Sequence, residues 1–533
     1  MAATPQSALA PVVPPLAPTG SNRVINPWVI ALVVALTTFM EVLDISIANV
    51  SLRHIAGDLS AGQDESTWVL TSYLVSNAIV LPISGWFAFV VGRRRFYLWC
   101  VLIFTFSSLL CGLAPTLPLL ILFRTLQGAG GGGLQPISQA ILADTFPPAK
   151  RGMAFAVYGI TTVLAPAIGP TLGGWITDNF SWRWVFFINV PVGIFAFWLS
   201  NRLVWDPPHL REAQIAMRKR GFKIDYWGFA LLALGFGCLQ VVLDKGQQDD
   251  WFESSFILQF AIISAVTLVI LPFWELRQRD PMIDISLLKS RNFLISNILM
   301  FALGFVLFGS TLLLPLFLQT LLNYSATQAG LAISPGGLAI LFVMPVIGML
   351  VSRVDVRKLI IFGLLTSGGA LFLFARMDLQ VDYWTVALIR VLQAVGLGFL
   401  FIPINTAAFT GIPMLKSSSA SAIINLSRNL GGSFGIALTA SYLARQEQRH
   451  QNYLGAHVDL TQGNTAGFLD GLTRHFIDMG STAVDATRQA TGVLYATVIK
   501  QATMLAFLDA FQMLGLFFLV LIPACFLLRR PRN

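Results

Sequence analysis

Apolar runs of about twenty residues recur from residue 28 to residue 528, and no other feature restricts the fold as strongly. A helix rises about 1.5 Å per residue, so twenty residues match the ~30 Å hydrocarbon core of a bilayer. Fourteen such runs are read, near 28–49, 68–90, 96–115, 117–141, 153–176, 184–204, 226–245, 255–275, 293–321, 328–351, 358–376, 383–405, 420–443 and 506–528. The fold class expected is therefore all-α and membrane-integral, with the lipid bilayer as solvent. Composition agrees: the chain is 55% hydrophobic and 11% charged, where soluble proteins carry about 25% charged residues.

An even number of spans places both termini on one side, and positive charge decides which. With the N-terminus in the cytoplasm, cytoplasmic segments hold 23 Lys and Arg, short external loops four, and the long loop 444–505 five. Three arginines remain inside spans: Arg124, Arg390 and Arg428. The net charge of +9 thus reports topology, and no nucleic-acid partner is expected. The Pro- and Ala-rich residues 1–26 read as a disordered cytoplasmic tail. Four cysteines (Cys100, Cys111, Cys238, Cys525) all fall in apolar runs and read as packing residues. The five histidines lie in polar connections, with no metal or nucleophile motif around them. No metal, cofactor or enzymatic activity is expected.

The chain repeats itself. FRTLQGAGGGGL (123–134) and IRVLQAVGLGFL (389–400) share Arg, Leu, Gln, two glycines and a final Leu at an offset of 266 residues. Repeated halves are a common transporter plan, with the substrate path between them. Fourteen spans then divide into a six-helix half (27–204), a linker with two added spans (205–291), and a second six-helix half (292–530) that contains loop 444–505.

Charges in the hydrocarbon core cost about 2.5–3.5 kcal/mol on insertion scales and are functional candidates. Glu41 and Asp44 stand three residues apart, on one face of the first span. Asp44 and Arg124 lie at similar depth, so they can pair. The pair is either a permanent tie between two helices or a proton or substrate switch. Arg390 and its neighbour Gln393 repeat Arg124 and Gln127, without evident acidic company. Pro166 and Pro170 bend the fifth span, and Gly169, Gly173 and Gly174 let a neighbour approach closely. Asn49, Gln127, Gln135, Gln139, Gln319, Asn405 and Asn425 are uncharged candidates for a substrate path. Others among them serve as plain interhelical hydrogen bonds. The glycines at 128–133 do not form a phosphate loop, because no strand precedes them and no Lys-Ser/Thr pair follows.

Four segments carry a resemblance: LDISIANVSL (43–52), LFRTLQGAGGG (122–132), APAIGPTLGGWI (165–176) and WRWVFFINVPVG (182–193). The chain resembles the major facilitator superfamily, in its fourteen-span drug:proton antiporter group, and within it the Emr-type multidrug efflux permeases. The resemblance covers nearly everything from 27 to 530. It implies a proton-driven exporter of drug-like compounds in a bacterial inner membrane, working by alternating access without a cofactor. It assigns proton coupling to Arg124, beside which the carboxylates Asp44 and Glu41 are the expected entry point of the proton. It assigns the antiporter motif to Pro166, Gly169, Pro170, Gly173 and Gly174, and a cytoplasmic gating loop to Gly85, Gly92, Arg93 and Arg94. That loop departs from the family pattern, with Phe89 and Val90 where Asp and Arg are usual. A charge-based latch is therefore in question here. Loop 444–505 is either an idle insertion or, as the resemblance implies, a contact for a periplasmic adaptor that leads to an outer-membrane channel. The rival expectations are a dedicated exporter of one metabolite, lipid or siderophore and, more distantly, a membrane sensor or enzyme.

Overall fold

The computed structural model describes residues 26–219, 225–278, 281–458 and 463–529. The tail expected at 1–26 lies outside these, apart from Asn26. Among the described residues every regular element is a helix. The principal ones are α1 (Pro27–Val50), α2 (Trp68–Val91), α3 (Arg93–Leu113), α4a (Leu117–Gly131) with α4b (Leu134–Thr145), α5 (Pro148–Asn179), and α6a (Trp184–Phe187) with α6b (Asn189–Leu203). They continue with α7 (Tyr226–Lys245), α8 (Ser255–Glu275), α9 (Arg291–Thr320), α10 (Ala326–Leu350), α11 (Val356–Phe374), α12 (Tyr383–Ala408), α13 (Ser417–Ala456) and α14 (Ala483–Val520).

Short polar residues set several of the starts. Asn26 accepts from the Trp28 N–H, Asp225 from Gly228, and Asp382 from Trp384 and Thr385. Ser325 and Gln328 cap each other reciprocally at α10. Each satisfies backbone donors that the first helical turn leaves free.

Among the described residues eleven helices are long and apolar enough to cross a membrane, and α5 makes a twelfth if its two arms form one span. The arms, Pro148–Pro166 and Ile168–Asn179, meet at 45°, where Pro166 and Pro170 remove backbone donors. The other two expected spans are present as helices of different form. The fourth breaks between α4a and α4b, because Pro136 cannot donate to the Gly132 carbonyl. The thirteenth, within α13, carries Arg428 and many Ser and Asn residues.

The first six helices pack chiefly with one another, as do α9–α14. The two groups meet where α2 lies against α13 and α5 against α10. The second contact is a small-residue crossing. A Cβ on Gly152 would stand 2.9 Å from the Gly348 carbonyl, and one on Gly348 2.9 Å from the Met153 Cα. The added pair α7–α8 packs on α2 and α13 through α7. Thr71 and Lys245 tie α2 and α7 by bonding Asp244 and Thr67, while Ser433 of α13 donates to Gln240 at 2.9 Å.

Segment 444–505, the long connection between the last two spans, has no proline, and its described residues are largely helical. The polar composition that ends the apolar runs does not end the helices. α13 continues to Ala456, α14 begins at Ala483, and a helix at Gly463–Asp478 lies against α14. The 40 residues of α13 span about 60 Å at 1.5 Å per residue, twice the hydrocarbon thickness. At the border of the apolar zone α13 and α14 are joined by Thr503 donating to Glu447 at 2.5 Å and by His450 against Asp509 at 2.8 Å.

Candidate functional site

The first helix brings Asp44 into the middle of the first bundle by close backbone contact. A Cβ on Gly169 would meet the Ser46 side chain at 2.3 Å, and one on Gly173 would meet Ile47 at 3.0 Å. Gly174 is not required for this contact, since a Cβ there would stand an ordinary 3.9 Å from the Val50 side chain. Two of the three glycines of the antiporter motif therefore set how deeply α1 sits in α5.

There Asp44 meets Arg124. Arg124 Nη1 donates to Asp44 Oδ2 at 2.6 Å, and both side chains are buried. The other carboxylate oxygen accepts from Gln127 Nε2 at 2.9 Å and from Asn189 Nδ2 at 2.7 Å. Arg124 Nη1 also reaches Gln127 Oε1 at 2.8 Å, and its Nε reaches the Val69 carbonyl at 3.1 Å. The guanidinium lies 4.3 Å from the Tyr73 ring centre and 5.5 Å from that of Phe186. Charge-assisted bonds of this kind are the strong ones, and a nearly satisfied network rigidifies its surroundings. Gln127, a candidate for the path or for a plain interhelical hydrogen bond, is a direct partner of the carboxylate. Asn189 and its own partner Ser108 (3.1 Å) were not anticipated. The signal was an isolated amide in the apolar run VFFINVPVG.

Glu41 is buried one turn away in a different setting. Asn77 Nδ2 donates to its Oε1 at 3.3 Å, while Oε2 has no hydrogen-bond partner among the described residues. Gln135 and Arg428 are the next polar groups acting on it. Arg428, on α13 of the second bundle, donates to Gln135 Oε1 on α4b. Its partner thus comes from the opposite bundle.

One turn further along α4b, Gln139 joins the two bundles again. Its amide donates to Asn405 Oδ1, and its carbonyl accepts from Ser421 at 2.8 Å and Asn425 at 2.5 Å. Tyr158 of α5 donates to Asn425 Oδ1 at 3.3 Å. Gln139 and Asn405 are 266 positions apart, the offset of the sequence repeat. Corresponding positions of the two halves therefore touch each other. Gln135, Gln139, Asn405 and Asn425 form one buried polar seam, whereas Asn49 and Gln319 depart from the path expectation and are exposed at helix ends.

At the basic end of the bundle the loop that lacks the usual Asp has another carboxylate. Arg93 Nη1 pairs with Asp144 Oδ2 of α4b at 2.7 Å, and both are buried. Arg93 Nη2 donates to Ser417 Oγ at 3.2 Å, and Ser417 donates to Asp144 at 3.1 Å. Ser417 opens α13, so this triad joins the bundles. Gly85 is required there, because its Cβ would stand 2.7 Å from the Ser419 Cα. Gly92 turns between α2 and α3 at φ +108°, where side chains are strained. Arg94 bonds Asn201 at 2.9 Å through its side chain and Asp206 at 2.8 Å through its N–H. Close by, Lys416 pairs with Asp284 at 2.6 Å. Burial raises that carboxyl, but bonds from Lys416 and Ser286 outweigh it and hold it below its usual range.

Arg390 repeats Arg124 only in part. Its Nη1 donates to Gln393 Oε1 at 2.6 Å. Among the described residues it has no ion pair.

The family model described as Major Facilitator Superfamily matches residues 34–436. A multidrug export protein, EmrB, of Haemophilus influenzae is 38% identical over 493 residues, covering 92% of this chain and 94% of that one. The fatty acid resistance protein FarB of Neisseria gonorrhoeae is 35% identical over 509 residues, covering 95% and 96%. A solved proton:xylose symporter, XylE, aligns with a TM-score of 0.58 at 15% identity over 93% of this chain and 96% of that one, a likeness of fold. The repeated bundles, the broken fourth helix and the glycine contact of α1 with α5 are the frame on which these matches fall. The chain belongs to the major facilitator superfamily and is a multi-pass membrane transporter.

Proposed function

We propose that this protein is a proton-coupled exporter of hydrophobic or amphipathic drug-like compounds in a bacterial inner membrane, with both termini cytoplasmic. The observation that carries the reading is the Asp44 carboxylate, held by Arg124, Gln127 and Asn189 on a helix fixed by its contact with α5. A proton on Asp44 would leave Arg124 as a buried cation without a counter-charge, which is costly. Protonation and movement of Arg124 are then one event. Because α1 sits against Gly169 and Gly173, that event bears on the α1–α5 packing and hence on the gap between bundles. Glu41, next to the seam through Gln135 and Arg428, extends the same logic across the interface. The Arg93–Asp144–Ser417 triad acts as the cytoplasmic latch and separates when the cytoplasmic side opens. The seam of Gln135, Gln139, Asn405 and Asn425 lies on the substrate path. The names of the relatives, multidrug export and fatty acid resistance, support amphipathic cargo.

The extension of α13 and α14 supports a tripartite assembly with a periplasmic adaptor and an outer-membrane channel. It rises beyond the apolar zone and exposes Tyr453 and Tyr495, and the helix at Gly463–Asp478 that lies against α14 adds Phe468. Exposed apolar groups away from lipid mark contact surfaces.

Everted vesicles carrying an imposed proton gradient test the coupling. Ethidium uptake is expected in the wild type, and a loss of at least 100-fold in Asp44→Asn and Arg124→Ala. Gradient-driven uptake that survives both substitutions would sink the assignment. Uptake confined to one compound among many dissimilar ones would favour a dedicated exporter.

A further inference from the structure

The two copies of the Arg-x-x-Gln pattern are built alike but finished differently. In the first half the guanidinium and the amide hold one carboxylate between them, Arg124 on Oδ2 and Gln127 on Oδ1. In the second half Arg390 Nη1 meets Gln393 Oε1 at 2.6 Å, as Arg124 meets Gln127 at 2.8 Å. Two of the other donors have nothing to hold. Arg390 Nε and Gln393 Nε2 are buried and have no hydrogen-bond partner among the described residues. Arg390 is 6% exposed and Gln393 0%. α9, the first helix of the second half, carries no acidic residue along its 30 positions. Nor do the described residues supply the aromatic ring or the backbone carbonyl that Arg124 has. Gly336 of α10 leaves room for the Arg390 stem, since a Cβ there would stand 2.9 Å from Arg390 Cγ.

We infer that Arg390 and Gln393 form a binding site for a two-oxygen monoanion on an apolar body, the carboxylate of an amphiphile or the head group of an anionic lipid. A buried cation without a counter-charge is costly, and an anion from outside the chain removes that cost. The donor pair selects the shape. The same two side-chain types in the first half take the two oxygens of a single carboxylate, a task a spherical ion does not match. The apolar helices around the pair select the body, because a strongly hydrated anion has no favourable route to this depth. The site rests on the export reading only in treating the ligand as cargo. Binding itself requires no gradient.

The test is equilibrium binding of tritiated laurate to the purified full-length protein in a non-ionic detergent, without a gradient. Saturable binding is expected in the wild type, with at least tenfold weakening in Arg390→Gln, partial recovery in Arg390→Lys, and three- to tenfold weakening in Gln393→Leu, which keeps the cation. Dodecyltrimethylammonium, with the same body and opposite charge, is expected to bind all four within twofold. Phosphatidylglycerol added to the micelles identifies the source: displacement of laurate, where phosphatidylcholine has no effect, marks lipid, and its absence marks the free amphiphile. Laurate binding equal in wild type and both Arg390→Gln and Gln393→Leu overturns the site, as does no binding in the wild type or equal loss of both probes. Failure of ethidium uptake in vesicles bears on proton coupling and leaves this binding result standing.

Discussion

Two buried Arg–Asp pairs do different work in this molecule. Arg124–Asp44 joins α4a to α1 within one bundle, and every oxygen of the carboxylate is occupied by groups of that bundle. Arg93–Asp144 also lies within one bundle, but its outer bonds run to Ser417 of the other. The first pair can change state while the bundles stay in contact. The second cannot keep its bonds to Ser417 if they part at that end. An ion pair's role thus follows from where its third partner sits, more than from its burial or its length.

The largest effect should come from breaking the first pair. Arg124→Ala leaves Asp44 a buried charge without its cation, a loss of about 3–5 kcal/mol. The paired change Asp44→Asn with Arg124→Gln removes both charges and should recover more than half of that loss in thermal unfolding. Equal destabilisation of the two would mean that the amide and ring contacts, not the charges, hold the centre. A smaller effect is expected at the second pair. Arg93→Ala should raise the labelling of a cysteine at Ser419→Cys about tenfold from the basic side. Unchanged labelling would show that Gly85 against Ser418 and Ser419 closes that end unaided. The smallest lies in the packing beneath the first pair. Gly169→Ala should cost about 1–3 kcal/mol by overpacking, and adding Ser46→Gly should restore stability and uptake together. No rescue would mean that α1 is placed by other contacts.

Much of this was legible in the chain itself. Twenty-residue apolar runs locate the helices because a bilayer leaves few alternatives. The depth of Asp44 and of Arg124 along their spans suffices to pair them. Asp144 escaped notice because it stands at a span's end, where a carboxylate is unremarkable until the chain folds Arg93 onto it. Asn189 shows in the chain as an isolated amide in an apolar run, with nothing there to say that it faces Asp44. The partner of Arg428 was hidden for a deeper reason: it belongs to the opposite bundle, and periodicity along one helix carries no information about which helix faces it. The proline-free composition of segment 444–505 is compatible with helix, but hydropathy measures only where membrane begins and ends, so it does not reveal that α13 passes that boundary without a break.

The meeting of Gln139 with Asn405 has a consequence for descent. Where two copies of a unit are related by a two-fold axis, a residue beside the axis faces its own counterpart. If an ancestor of this chain assembled from two identical six-helix units, that single position met itself. One substitution there would have altered both sides of the contact at once, so only a self-complementary residue could be kept. An amide, which donates with one atom and accepts with another, meets that condition. After the halves were joined in one chain, each side became free to change alone, and the Gln–Asn difference marks that freedom.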